Sequence, residues 1–212
     1  MVMHRHISIL ALRQQLPNDL FTTLELSLLL ANYENLGAKI ALFLRKGELI
    51  SLRRGLYTFA QPLRHAPLSS GLLANAIYGP SYVSAEFALC WHGLIPETPA
   101  TVTSIAMGRS REFTNAFGRF TYRYCRSAAY PIGVLLAGPP KSRFLVASPH
   151  KALYDKVVAD RRWQGEDPES YLTEDLRIDL DALRGKDRQT LRELAPFMTG
   201  RLKKLHAFLT AL

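Results

Sequence analysis

The stretch Lys46 to Ala60, KGELISLRRGLYTFA, constrains this chain more than any other, because it sets turn, strand, turn and strand within one short span. Gly47 ends the helix before it, and Gly55 supplies the positive φ that a tight turn needs. Glu48 to Leu52 and Leu56 to Phe59 are rich in β-formers and are linked by Arg53-Arg54-Gly55, which predicts a β-hairpin with two arginines at its tip. Alternation puts Leu49 with Ser51 on one face and Ile50 with Leu52 on the other. Neither face is purely polar, so the ribbon is expected to lie against helices with its tip left to solvent or a ligand.

Upstream of the hairpin the period changes from two to that of a helix. Ile7 to Leu16 carries Ile7, Leu10, Ala11 and either Ile9 or Leu12 at helical spacing, and Pro17 stops it. Thr22 or Thr23 caps a second helix with Leu26, Leu29 and Leu30 inward and Glu25 in its first turn. Asn32 to Asn35 breaks that helix. A third runs from about Asn35 to Lys46, with Leu36, Ile40, Phe43 and Leu44 inward and Asn35, Lys39, Leu42 and Lys46 outward. Short helices followed by a hairpin in this order predict a winged helix-turn-helix over residues 1–62. The plain alternative is a helical subdomain with a solvated hairpin. On the sharper reading the candidate DNA contacts are Asn35, Lys39, Arg45, Lys46, Arg53 and Arg54, placed where major-groove and backbone contacts fall when such a helix enters DNA. Gly37 weakens the third helix by up to about 1 kcal/mol relative to Ala. Base reading is therefore expected to be modest, with phosphate contacts supplying much of the affinity.

Charge supports a polyanion partner. The chain has 212 residues, 48% of them hydrophobic, and its 27 Lys and Arg against 18 Asp and Glu give a net +9. Residues 1–65 carry 8 basic and 4 acidic side chains, residues 66–150 carry 7 and 3, and residues 151–212 carry 12 and 11, so the excess belongs to the first two parts. Cys90 and Cys125 are too few for a disulfide framework and have no metal-ligand spacing. No apolar run reaches the length of about 18 residues that a membrane span needs, and Ile7 to Leu12 is too short for a signal peptide. A cytoplasmic protein without a membrane partner, a metal or a cofactor is expected.

After Ala60 the sequence loosens into Gln61-Pro-Leu-Arg-His-Ala-Pro67, where a domain boundary is placed, with a second, mixed α/β domain over residues 66–212. A helix is expected from Ser69 to Ile77, and another from a Ser84 cap through Trp91 to Gly93. Thr101 to Met107 and Gly118 to Cys125 read as strands. In the second, Phe120, Tyr122 and Tyr124 alternate with Arg119, Thr121, Arg123 and Cys125. A solvated face over a core explains that pattern. So does a candidate second polyanion surface built from Arg109 and Arg111 in a loop, Arg119 and Arg123 on the strand, and Lys151. Phe144 to Ala147 is a further strand, and Ser148-Pro149 opens a helix to Ala159 that buries Ala152, Leu153 and Val157 or Val158. His150 and Lys151 at that helix start are offset by Asp155 one turn on, either as a structural pair or around a bound phosphate. Trp163 to Thr173 reads as a polar loop with Glu166, Asp167 and Glu169, followed by closing helices at Arg188 to Leu194 and Leu202 to Leu209. Ser148-x-x-Lys151 matches the spacing of a serine acyl-enzyme nucleophile, but no companion element accompanies it, and no P-loop, GxGxxG or HExxH is present.

LFLRKGELISLRRGLYTFA resembles the wing of the AbiEi antitoxin family of type IV toxin–antitoxin systems. Tyr82-Val-Ser-Ala-Glu-Phe-Ala-Leu89 running on to His92-Gly-Leu-Ile-Pro96, and Ser148-Pro-His-Lys-Ala-Leu-Tyr-Asp155, resemble later stretches of the same family. The likeness extends to about residue 160. His150 stands where the pattern has an acidic residue. The resemblance implies a non-enzymatic antitoxin and transcriptional repressor that binds double-stranded operator DNA, autoregulates its operon, and neutralises a nucleotidyltransferase-like toxin functionally rather than by a stable complex. The alternatives are a nucleic-acid-processing enzyme or nuclease accessory factor positioned by the winged helix, and a stand-alone regulator without a toxin.

Overall fold

The computed structural model describes residues 7–31, 35–125 and 128–212 and is a mixed α and β protein, as expected. The chain divides into two compact units. One comprises residues up to Leu68 together with Thr114–Phe117; the other comprises Ser69–Phe113 and Gly118–Leu212. Among the described residues no helix is long and apolar enough to cross a membrane.

The first unit contains α1 (Ile9–Gln15), β1 (Leu20–Thr22), α2 (Thr23–Leu29), α3 (Leu36–Arg45), β2 (Leu49–Arg53) and β3 (Leu56–Phe59). Each helix start has a side-chain reason: Ser8 caps α1, Asn35 caps α3, and Thr22 and Glu25 form a capping box on α2. The predicted break at Asn32 to Asn35 falls largely outside the described residues. Helix α3 closes on Gly47, at φ 66°, with Gly47 N–H bonded to Leu44 O and Glu48 N–H to Phe43 O, the paired bonds of a Schellman ending. That closure feeds the chain directly into β2. The core is Ile9, Leu12, Leu16, Phe21, Leu26, Ile40, Phe43, Leu49 and Phe59. On α1 the inward residues are therefore Ile9 and Leu12, while Leu10, read from the sequence as part of the apolar face, is exposed.

The hairpin differs from the sequence reading in two ways. Arg53 belongs to β2, paired with Leu56, so the turn is Arg54-Gly55. The register between β2 and β3 also shifts between Ser51 and Arg53. This irregularity resets the alternation, so that Leu49 and Leu52 both face the core although strict period two would separate them. A strand absent from the sequence reading, β1, pairs antiparallel with β3 and completes a sheet of order β1-β3-β2. The turn is fastened at its end by Thr23 N–H donating to Gly55 O at 3.0 Å.

The second unit carries α4 (Ser70–Ile77), β4 (Ser81–Val83), α5 (Ala85–Trp91), β5 (Thr101–Ala106), β6 (Arg111–Asn115, of which Thr114 and Asn115 count with the first unit), β7 (Gly118–Tyr124), β8 (Val134–Ala137), β9 (Phe144–Ala147), α6 (Pro149–Ala159), α7 (Pro168–Ser170), α8 (Leu180–Leu183), α9 (Arg188–Leu194) and α10 (Arg201–Ala211). Its sheet has the order β6-β7-β5-β4-β9-β8. β5 runs parallel to β7 and β4 parallel to β9, while β4 with β5 and β8 with β9 are antiparallel. Asn75 of α4 bonds Ser81 O of β4 and both N–H and C=O of Leu145 in β9, bridging the strands where their own ladder is short. Helices α5 and α6 pack on each other, and α9 packs on α6. Residues 163–173 are not the polar loop expected. Trp163 is buried and stacked on Tyr171 at 4.8 Å, and α7 runs on into a wide turn at Tyr171–Asp175.

Candidate functional site

In the first unit two acidic side chains are engaged within the fold and most of the basic ones turn outward. Asp19 accepts from the Arg13 guanidinium at 3.1 Å and from the backbone N–H of His65 and Ala66 at 3.0 and 3.1 Å. Arg13 also donates to Leu16 O at 2.7 Å and to His65 Nδ1 at 2.7 Å, and lies 4.5 Å over the Phe59 ring. This cluster, in which Arg13 is buried and His65 exposed, closes the end of α1 and ties the segment after β3 to it. Glu25 is held in the capping box, its carboxylate taking Thr22 N–H at 2.7 Å. Lys39, Arg45, Lys46 and Arg54 have no ion-pair partner among the described residues, and Arg45, Lys46, Arg53 and Arg54 are exposed. Arg45 ends α3 with Lys46 as its C-cap, and Arg53 ends β2 with Arg54 in the turn beyond it, so these cations lie on or next to the two elements joined through Gly47.

Two residues of that set carry structural duties. Asn35 accepts Ala38 N–H on its side-chain oxygen at 2.9 Å, which leaves only its amide N–H2 for a base edge. The Lys39 ammonium rests 5.0 Å over the Phe43 ring, half-buried, so its aliphatic stem lies along the helix.

The second set does not form one surface. Arg119 is bound through two nitrogens to Glu112, each bond 2.8 Å, which raises the guanidinium and lowers the carboxyl from their ordinary values. Arg123 is half-buried beside Glu86. Burial works against the Glu86 charge, but the bond from Lys156, with the Arg123 charge behind it, holds its carboxyl below the ordinary value. Arg111 is the first residue of β6 rather than part of a loop, and Arg109 precedes it; both are exposed. Lys151 does not reach the surface at all. It is wholly buried, its amine 3.1 Å from Asp155 Oδ1 and donating to Ala129 O at 2.8 Å. The reason is the i,i+4 partner, which makes burial of an ammonium tolerable.

Asp155 ties the two C-terminal motif stretches together. Its Oδ2 accepts from Tyr82 Oη at 3.0 Å and from Ser84 Oγ at 2.8 Å. Burial pushes the Asp155 carboxyl above its ordinary value despite the Lys151 charge, and burial also pushes the Tyr82 hydroxyl up. Ser84 therefore gives its hydroxyl to Asp155 and does not cap α5, which starts instead with Ala85 in a left-handed conformation, φ 50°. Ser148 likewise makes no cap bond; its hydroxyl is buried against Thr190 at 3.4 Å. With Ser148 enclosed and the Lys151 amine engaged by Asp155 and Ala129, this pair is not presented to a substrate. No family model matches the chain, and no curated protein does. Among the described residues no group of His, Cys, Asp and Glu is arranged to hold a metal ion, and Cys90 and Cys125 are unpaired.

The sequence reading missed the Arg13–Asp19–His65 cluster and the Tyr82 and Ser84 bonds to Asp155. The Lys151–Asp155 pair was visible in its i,i+4 spacing. Arg13 and Asp19 are 6 positions apart but not at helical spacing, and the remaining partners are separated by 46 to 73 positions and leave no local signal.

Proposed function

We propose that this chain is a DNA-binding transcriptional repressor and antitoxin of the AbiEi kind, with a winged helix-turn-helix in residues 1–62 and an antitoxin domain in residues 66–212. The observation that carries the reading is the exposed positive charge of the first unit. Asp19 and Glu25 are engaged inside the fold, while Arg45, Lys46, Arg53 and Arg54 stand exposed on α3 and the hairpin. In this reading α3 approaches the major groove and the hairpin lies along the phosphate backbone. Arg45, Lys46, Arg53 and Arg54 are phosphate contacts, and Lys39 with the Asn35 amide supplies a modest base reading.

For the antitoxin half, support comes from Tyr82, Ser84, Lys151 and Asp155. These residues belong to the stretches resembling the family, and they are bonded to one another in the interior, as befits a scaffold that presents a binding surface. The toxin is a nucleotidyltransferase-like enzyme encoded alongside, opposed in the cell without a stable complex. The test has two arms. A gel shift with DNA from upstream of the chain's own gene should give a complex that a random duplex of equal length displaces poorly. Co-expression with the neighbouring toxin should restore growth. No preference for the upstream DNA would end the repressor reading, and no rescue of growth would end the antitoxin reading.

A further inference from the structure

At the rim of the second unit's sheet an aromatic ring stands open beside two arginines that have no ion-pair partner among the described residues. Strand β7 sends Phe120, Tyr122 and Tyr124 to the same side, but α4 covers only part of that side. Tyr122 is buried and donates its hydroxyl to Ala74 O at 2.6 Å, whereas Tyr124 is 51% exposed. The backbone around Tyr124 is held firmly: it pairs with Ala106 of β5, and its N–H donates to Ser110 Oγ at 3.0 Å. That bond places Arg109 and Arg111, the neighbours of Ser110, at the same end of the sheet as the ring. The connecting turn is fixed from below. Tyr78, Phe113 and Tyr122 contact one another with ring centroids 5.2 to 6.2 Å apart. Gly108 passes so close over them that a Cβ there would lie 2.2 Å from the Tyr78 hydroxyl.

We propose that this rim, Tyr124 with Arg109 and Arg111, binds single-stranded nucleic acid, with the Tyr124 ring stacking on a base and the arginines taking the flanking phosphates. The argument is chemical complementarity. Arg119 is neutralised by Glu112 and Arg123 is half-buried, so among the described residues the exposed positive charge without an ion-pair partner at this sheet end is that of Arg109 and Arg111. An exposed ring beside such cations matches a ligand that offers π-faces and phosphates together. A duplex offers only phosphates here, because its bases are stacked on each other and out of reach. The rim is independent of the α3 and hairpin reading, which concerns duplex DNA.

The experiment uses the full chain and fluorescence anisotropy with a labelled 12-nucleotide oligo-U, a labelled oligo-dT and a duplex. Tyr124→Ala should weaken binding of the single strands by about 5- to 150-fold, with Tyr124→Phe and Tyr124→Trp retaining it and duplex affinity unchanged. Arg109→Ala with Arg111→Ala should flatten the slope of log K against log[salt] for single strands by about 1.4. Thermal melts of each variant show that the fold is intact. Failure of the wild-type chain to bind either single strand would overturn the proposal. So would single-strand binding that responds to the arginine changes but not to Tyr124→Ala, which would make the rim a plain polyanion patch.

Discussion

Replacing Lys151 by Met removes one half of a buried ion pair and leaves the other half in place. Asp155 would keep its bonds from Tyr82 and Ser84 but lose the cation beside it, and Ala129 O would lose the Lys151 donor. An uncompensated buried charge of this kind costs about 3–5 kcal/mol. For a unit of this size that corresponds to a fall in Tm of about 6–20 °C. The loss should depend on pH in a defined direction. Burial already raises the Asp155 carboxyl, and without Lys151 it rises further, so the folded pKa exceeds the unfolded value of about 3.9. A carboxyl raised on folding leaves stability unaffected below the unfolded value and lowers it as pH rises toward the folded one. Lys151→Met should therefore be closest to wild type in acid and worst near pH 7.5. Lys151→Met combined with Asp155→Asn, which keeps an acceptor for Ser84 and Tyr82, should recover most of the loss, a coupling of 2 kcal/mol or more, roughly, in a double-mutant cycle. Urea unfolding followed by circular dichroism at pH 5 and 7.5 measures all of this. A single variant within about 1 kcal/mol of wild type, or a double variant no better than the single, would refute the account of the network.

In the proposed DNA complex, Arg53→Ala with Arg54→Ala should weaken binding to every duplex alike and reduce the salt slope by about 2, read from fluorescence titrations between low and physiological salt. Lys39→Ala should lower affinity for the upstream site by about 1–3 kcal/mol and for random duplex by much less; equal losses would assign it to the backbone. Arg13→Ala should destabilise the first unit by roughly 2–4 kcal/mol, because Asp19 and the carbonyls of Leu16, Pro17 and Asn18 just past α1 lose their donor, and Asp19→Ala should act in the same direction. Burial holds His150 and His92 below their ordinary value, so the unfolded chain takes up protons first as pH drops through about 6.5, and stability is lost in that window. His150→Gln should flatten the change in Tm between pH 7.5 and 5.5, and an unchanged profile would remove His150 from it.

Elements with a strong local signature were legible in the sequence. The α3 to β2 turn was marked by Gly47, the hairpin by Gly55, the helix α6 by Ser148-Pro149, and each lies within a residue or so of its expected place. Features that depend on distant partners were not. β1 is only Leu20–Thr22, too short to show alternation, and it becomes a strand because β3 offers it a ladder. β6 reads Arg-Glu-Phe-Thr-Asn, with no apolar run to announce it, and is held by its neighbour β7. The irregularity in β2 arises where its pairing with β3 shifts register, which no property of Leu49–Arg53 alone specifies. Ser84 and Ser148 had the positions of helix caps and the backbone of them, but their hydroxyls go to Asp155 and Thr190, partners 71 and 42 positions away. At the candidate DNA interface the residue types were legible, and the capping duty of Asn35 was not separated from base reading, because both follow from its place at the start of α3.

The charge of this chain acts through how it is placed rather than through its sum. A count by sequence gives the same excess to residues 1–65 and to residues 66–150. In the first unit two of the described acids, Asp19 and Glu25, are absorbed by one buried cluster and one capping box, while Arg45, Lys46, Arg53 and Arg54 remain on the exposed surface. In the second unit Arg119 is matched by Glu112 within residues 66–150, and Lys156 by Glu86, Lys151 by Asp155 and Arg162 by Asp160 further along, while Arg109 and Arg111 stay exposed with no ion-pair partner among the described residues. The Asp160 carboxyl is accordingly held far below its ordinary value by Arg162. The exposed Arg119–Glu112 pair adds little stability, but it removes a charge from the field that a polyanion senses. Pairing as well as excess therefore shapes each surface. A binding surface built on exposed cations should lose affinity steeply with salt, whereas charge reversal at a matched pair, such as Glu112→Lys, should create new affinity for duplex DNA where Arg119 had none to offer. That gain, read as a steeper salt slope than wild type, tests whether pairing rather than composition sets where this protein attracts nucleic acid.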